Sequence, residues 1–181
     1  MKKIIVILAT LMTVSFATTP LTLGKPAKDV SLSGELGGLL NGGTWSSSSM
    51  KGKVMIVIYV DPDHRNLNED LFQFVEKQKF DTAQVASTAI INMDATWIPN
   101  GILNSIIASK QEEYPNTIYV KDLKKHLVKE WGVDDDNSDI LLFDAEGTLI
   151  FKKFGKVEKE EQKTVVSLIR EAVSSHFVSA H

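Results

Sequence analysis

Seven consecutive apolar residues, Val54-Met55-Ile56-Val57-Ile58-Tyr59-Val60, constrain this chain more than any other stretch. Most are β-branched, which disfavours a helix and suits a strand. No polar residue alternates with them, so neither face of that strand can meet water. Such a strand belongs in the middle of a sheet covered on both sides, which reads as an α/β fold with a parallel centre. The run breaks at Asp61-Pro62-Asp63-His64-Arg65. A helix is then expected from Asn66, an N-cap residue with Glu69 three positions on. Leu67, Leu71, Phe74 and Val75 share one face of it, with Gln78 at the margin.

The remaining pattern alternates strands and helices. Gln84 to Met93 predicts a second strand, and Gly101 to Glu113 a helix with Ile102, Ile106 and Ile107 facing in, stopped by Tyr114-Pro115-Asn116. Thr117 to Val120 predicts a short strand. Leu123, Leu127 and Trp131 recur at helical spacing ahead of Gly132, a C-terminal stop. Ile140 to Phe143 and Thr148 to Phe154 flank Asp144-Ala145-Glu146-Gly147, which reads as a hairpin. A last helix over Lys159 to Phe177 carries Val165, Leu168, Ile169, Ala172 and Val173 on one stripe. Before all of this, Thr18 to Lys51 is rich in Gly, Ser, Thr and Leu. Short strands and loops are expected there, with Val30, Leu32, Leu36 and Leu40 available for edges and Trp45 pinning the arm to the domain. The sum is one domain over residues 18–181, a central mixed sheet with helices on both faces that ends in a hairpin and a helix.

The first segment has a different character. Met1-Lys2-Lys3 is a positive start, Ile4 to Leu11 is apolar, and Ser15-Phe16-Ala17 offers a small-x-small cleavage site. Residues 1–17 therefore read as a signal peptide. The apolar run falls short of the ~20 residues a spanning helix needs, and no later stretch could span a bilayer. Loss of Lys2 and Lys3 with the leader would take the formal charge from -3 to -5, a balance that argues against a nucleic-acid partner. The chain has no cysteine. An exported protein could use disulfides, but this one must be stabilised by its core alone.

Gly52-Lys53-Val54, the strand end Ile90-Ile91-Asn92-Met93-Asp94, Asp144-x-x-Gly147 and the terminal amphipathic helix, in that order, resemble the YtfJ family of bacterial periplasmic proteins from about Gly24 to Val173. The order of elements resembles the thioredoxin-like fold in its peroxiredoxin and thiol-oxidoreductase variant. The resemblance implies a periplasmic location. It also implies that Asp61 to Arg65 stands where redox members carry Cys-x-x-Cys at a helix start, a place that lowers a thiol's pKa. Active members hold a cis-proline before the hairpin strand; this chain reads Asp134-Asp135-Asp136-Asn137-Ser138-Asp139. Both parts of the redox site are absent together. Disulfide exchange and peroxide reduction by cysteine are impossible for this chain alone.

In such a fold the Asp61–Arg65 and Asp134–Asp139 loops would lie side by side at the carboxyl ends of the strands, the usual ligand edge. Asp61, Asp63 and His64 with Asp134, Asp135 or Asp136 would then offer oxygen and nitrogen ligands to a divalent cation. The plainer alternative is two hydrated acidic loops, with Asp63 favoured by a nearby helix start. No cofactor beyond such a cation is expected, and no catalytic residue is assigned, since no hydrolase or phosphate-binding pattern occurs. Trp97, in Trp97-Ile98-Pro99, either closes the core, the commoner fate of a tryptophan, or faces a partner from a loop. Two functional expectations follow: a non-redox binding or accessory module for a protein or peptide partner, or a metal- or small-molecule-binding protein, an enzyme included, built on the two acidic loops.

Overall fold

The structure, a computed structural model, describes residues 20–179, so the leader expected over residues 1–17 lies outside the described residues. The elements are β1 (Ser31–Leu32), β2 (Gly37–Leu39), β3 (Trp45–Ser46), β4 (Val54–Val60), α1 (Glu69–Glu76), β5 (Val85–Asn92), α2 (Asn100–Glu113), β6 (Thr117–Asp122), α3 (His126–Trp131), β7 (Ser138–Phe143), β8 (Leu149–Phe154) and α4 (Lys159–Ser179). Six strands form one sheet in the order β2-β6-β5-β4-β7-β8. All seven residues of β4 are buried, as its composition requires. It pairs with β5 in parallel and with β7 antiparallel, so the parallel centre expected from sequence holds on one side only.

Alternation along β4 feeds two cores. Ile56, Ile58 and Val60 join Ala89, Ile91, Leu71, Leu103, Ile107, Val165 and Ile169, beneath α1, α2 and α4. Met55, Val57 and Tyr59 face the other way, onto Leu127 and Trp131 of α3 and onto Leu32 and Trp45 of the N-terminal arm. Trp131 is fully buried. Its ring meets Trp45 edge-on at 6.4 Å and Phe143 at 6.1 Å. Its indole N–H donates to the Lys28 carbonyl at 2.8 Å, so burial leaves no polar group of this side chain unpaired. Trp45 does pin the arm, on the face opposite the larger helices.

Three helices differ from their sequence reading, each for a tertiary reason. The helix expected at Asn66 starts at Glu69, because Pro62–His64 first make a 3-10 turn. Asn68 precedes it but caps nothing. Its amide donates instead to the carbonyls of Ser138 and Gly155 at 3.2 and 3.1 Å, and its oxygen accepts Val157 N–H at 2.8 Å. On α1 the core is met by Leu71, Phe72 and Val75 rather than Phe74. On α2, Leu103 and Ile107 are buried while Ile102 is 57% exposed, a rotation of the expected face. The third helix is shorter than expected because the Asp122 carboxylate takes the N–H groups of Lys124, His126 and Leu127 at 3.2, 2.8 and 2.9 Å. That side chain does the work of an N-cap from the preceding strand and holds Leu123 to Lys125 outside the helix.

The hairpin forms as read. Asp144 Oδ1 accepts the N–H groups of Glu146 and Thr148 at 3.1 and 2.7 Å, and Gly147 takes φ +88, where a side chain would be strained. Among the described residues no helix is long and apolar enough to cross a membrane.

Trp131→Ala is expected to lower unfolding free energy by about 3–5 kcal/mol, the cost of an emptied aromatic site. Urea denaturation followed by far-UV circular dichroism measures it. An unchanged midpoint would mean that the second core does not hold the arm.

Candidate functional site

The carboxyl ends of β4, β5 and β6 and the start of β7 gather polar side chains at one edge of the sheet. Asp61, just past β4, is buried; its Oδ1 accepts Asp63 N–H at 2.8 Å and so caps the 3-10 turn. Its own N–H donates to the Asn137 carbonyl at 2.8 Å, which ties the two acidic loops together as the sequence led one to expect. His64 Nδ1 then lies 3.9 Å from Asp61 Oδ2 and 3.6 Å from Asp136 Oδ1. Ligand-type atoms of Asp61, His64 and Asp136 all fall within 4.8 Å of one another. His64 Nδ1 is shielded from solvent and has no hydrogen-bond partner among the described residues. Burial pushes the Asp61 carboxyl above its ordinary value, against the opposing pull of the Asp63 N–H.

The other three carboxylates proposed for this cluster are not part of it. Asp63 is exposed and contributes its backbone N–H. Asp134 is exposed, accepting from Asn137 Nδ2 at 3.3 Å. Asp135 is committed elsewhere, accepting from Lys125 Nζ and Asn92 Nδ2, both at 2.9 Å. Burial alone would raise its pKa, but these two hydrogen bonds outweigh burial and hold the carboxyl below its ordinary value.

Trp97 stands on the loop that follows β5, at the same edge, and is 88% exposed. The core-closing reading is therefore overturned. Ile98 takes that role instead, packing against the larger core while its N–H is held by Thr96 Oγ1 at 3.2 Å.

Beneath the edge lies a buried polar layer that the sequence reading missed. Tyr59, Asn92, Asp122 and Asp139 are all fully buried. Tyr59 Oη donates to Asp122 Oδ2 at 3.3 Å, and burial, with the negative charge of Asp122 beside it, pushes the phenol far above its ordinary range. Asp139 pairs opposite Tyr59 across the β4–β7 ladder. Its Oδ2 accepts Asp134 N–H at 2.6 Å, while its Oδ1 and Asn92 Oδ1 have no partner among the described residues. Burial pushes Asp139 up from 3.8 to about 7. Reading Asp139 as the last residue of a hydrated acidic loop hid this. Its position directly before the apolar run Ile140 to Phe143 was the available signal, since β7 begins at Ser138 and carries it into the sheet.

A mixed sheet sandwiched by helices, with carboxylates, an imidazole and an exposed indole at the carboxyl edge of its strands, gives this chain a thioredoxin-like fold without a thiol site. The family can be given as well. Residues 26–172 match the family described as bacterial protein of unknown function (YtfJ_HI0045), and the chain belongs to it. An uncharacterised protein of Haemophilus influenzae is 28% identical over 128 residues, covering 69% of this chain and 70% of that protein. The uncharacterised protein YtfJ of Escherichia coli is 23% identical over 130 residues, covering 70% and 71%. Among solved structures, a candidate thiol:disulfide interchange protein, DsbE, from Chlorobium tepidum superposes with a TM-score of 0.62 at 17% identity, over 84% of this chain and 99% of that one. At that identity the likeness shows the fold.

Asp139 supplies a pH test. Its folded pKa of about 7 lies above the unfolded 3.8, so the native state holds the extra proton between these values. The stability this confers is complete below the unfolded value and is lost as pH rises through the folded one. Asp139→Asn cannot titrate, so its stability relative to the parent is expected to rise from about pH 4 to about pH 8 in urea denaturation series. A constant difference across that range would contradict the raised pKa.

Proposed function

We propose that this chain is an exported, periplasmic binding module that uses the carboxyl edge of its sheet to hold a protein or peptide partner, without thiol chemistry of its own. The observation that carries the reading is Trp97, 88% exposed on the loop after β5, at the sheet edge where the two acidic loops join. A lone indole left in water forgoes burial of its large apolar area, and tryptophan is among the residues most enriched at interface hot spots. Ile98 anchors the loop from below, so the indole is displayed from a fixed base. The absence of cysteine supports a non-redox role. Met1-Lys2-Lys3, the apolar run after it and Ser15-Phe16-Ala17 support export.

A second reading is favoured by the unpartnered His64 Nδ1 facing two carboxylates. Asp61, His64 and Asp136 would supply mixed nitrogen and oxygen ligands, a set suited to zinc or manganese more than to calcium.

Trp97→Ala should leave stability within about 0.5 kcal/mol, as surface changes do. It should weaken capture of a periplasmic partner about thirtyfold, the loss of roughly 2 kcal/mol at a hot spot. Quantitative pull-down with parent and variant checks this, and equal capture would overturn the reading. N-terminal sequencing of the protein recovered from the periplasmic fraction should begin at Thr18; absence of the protein from that fraction would remove export. For the second reading, zinc or manganese should raise the melting temperature saturably in the parent and leave the Asp61→Ala, His64→Ala, Asp136→Ala triple variant unmoved. A parent that does not respond would exclude it.

A further inference from the structure

A cavity of about 710 Å³ lies between α1, α2 and the sheet face that carries Ile56, Ile58 and Ala89. It exists because α1 packs toward α4 while α2 packs toward β6, leaving the floor over β4 and β5 open between them. A packed interior holds few voids larger than a water molecule. This one falls within the roughly 300–1,000 Å³ typical of small-molecule sites. Phe72, Val75 and Phe80 line it and remain only half-buried although they belong to the core face. The cavity runs the length of β4, from Lys53 before the strand to Pro62 and Arg65 beyond it, roughly 20 Å for seven residues. A long apolar channel suits a chain better than a disc-shaped ligand.

Its two flanks differ in charge. Beside α2, Lys110 is already paired with Glu69 at 3.4 Å and Glu113 at 2.9 Å. At the start of β4 the lining includes Lys53, Lys79, Ser87 and Thr117, with Glu76 and the Lys110-paired Glu113 as acidic residues near that end. Lys53 Nζ donates to the Thr82 carbonyl at 2.8 Å, and neither Lys53 nor Lys79 forms an ion pair among the described residues. Ser87 and Thr117 share a hydroxyl hydrogen bond of 2.7 Å, and the one that accepts in it keeps its own proton for an anion.

We propose that this cavity binds a single-chain amphiphile with a carboxylate head, a fatty-acid-like ligand whose chain lies along β4 and whose head meets Lys53 and Lys79. The cavity reaches the sheet edge only at Pro62 and Arg65, and the proposal does not depend on the partner-binding reading.

The test is isothermal titration of the full chain with dodecanoate and, separately, dodecanol. Saturable binding of dodecanoate is expected, with dodecanol about tenfold weaker, as loss of a charge-assisted contact implies. Lys53→Gln with Lys79→Gln should weaken dodecanoate about tenfold and leave dodecanol unchanged. Ala89→Leu should fill the floor, keep or raise the melting temperature and weaken both ligands. Absence of saturable dodecanoate binding overturns the proposal. Equal affinity for acid and alcohol overturns it too, by assigning the cavity to a neutral occupant. A folded Ala89→Leu variant that binds dodecanoate as the parent does would place the ligand elsewhere. Should that variant fail to fold, the lysine pair and the acid–alcohol contrast still decide.

Discussion

Every later feature depends on the complete burial of β4. A strand whose one polar side-chain atom is the Tyr59 hydroxyl needs hydrogen-bonding neighbours on both edges and apolar cover on both faces. Here β5 and β7 satisfy the edges, and the two cores satisfy the faces. That requirement brings β7 back antiparallel against β4, and with it the Asp134–Asp139 loop against the residues that leave β4. The contact of Asp61 N–H with the Asn137 carbonyl is thus a consequence of strand pairing, one step beyond Val60 opposite Ser138. The candidate site exists because the central strand cannot stand at an edge.

The polar groups below that edge are structural members before they are anything else. Asp122 spends its two oxygens on three backbone N–H groups and the Tyr59 hydroxyl. Asn68 spends its amide on joining the start of α1 to the ends of β7 and β8. A buried carboxylate or amide with that many partners is costly to remove, because each partner would be left unsatisfied. Asp139 differs. With one oxygen unpartnered and its proton favoured by burial, it costs stability as pH rises, and the fold tolerates it at the base of the ligand edge.

The sequence made the strands legible because their signal is local: an apolar run such as Ile140 to Phe143 can only be buried. It made helix starts less legible. Asn66 and Glu69 look like a cap, yet Asn68 is claimed by β7 and β8, and no local pattern announces a side chain bonded to residues seventy or more positions away. Asp122 is a different case: its capping bonds reach only two to five residues on, but it makes them from a strand end. For the candidate site, the sequence pointed to two loops that the structure joins, but it could not choose among their carboxylates. Asp135 looked equivalent to Asp136 until Lys125 and Asn92 claimed it. Trp97 was ambiguous because the neighbouring Ile98 could equally well have been the residue left outside.

The departure from thiol chemistry goes deeper than missing sulfur atoms. A reactive thiol depends on a helix N-terminus, whose unpaired N–H groups and dipole stabilise the thiolate. Here residues 62–64 form a 3-10 turn, and α1 begins only at Glu69, with Glu69 and Asp70 in its first turn. The N–H nearest the turn, that of Asp63, is already taken by the Asp61 carboxylate. A cysteine placed in this loop would face carboxylates rather than a free helix start, and negative charge nearby raises a thiol's pKa. With Asp61 and Asp136 at 3.9 and 3.6 Å from His64 Nδ1, this edge lacks the free helix start that would stabilise a thiolate.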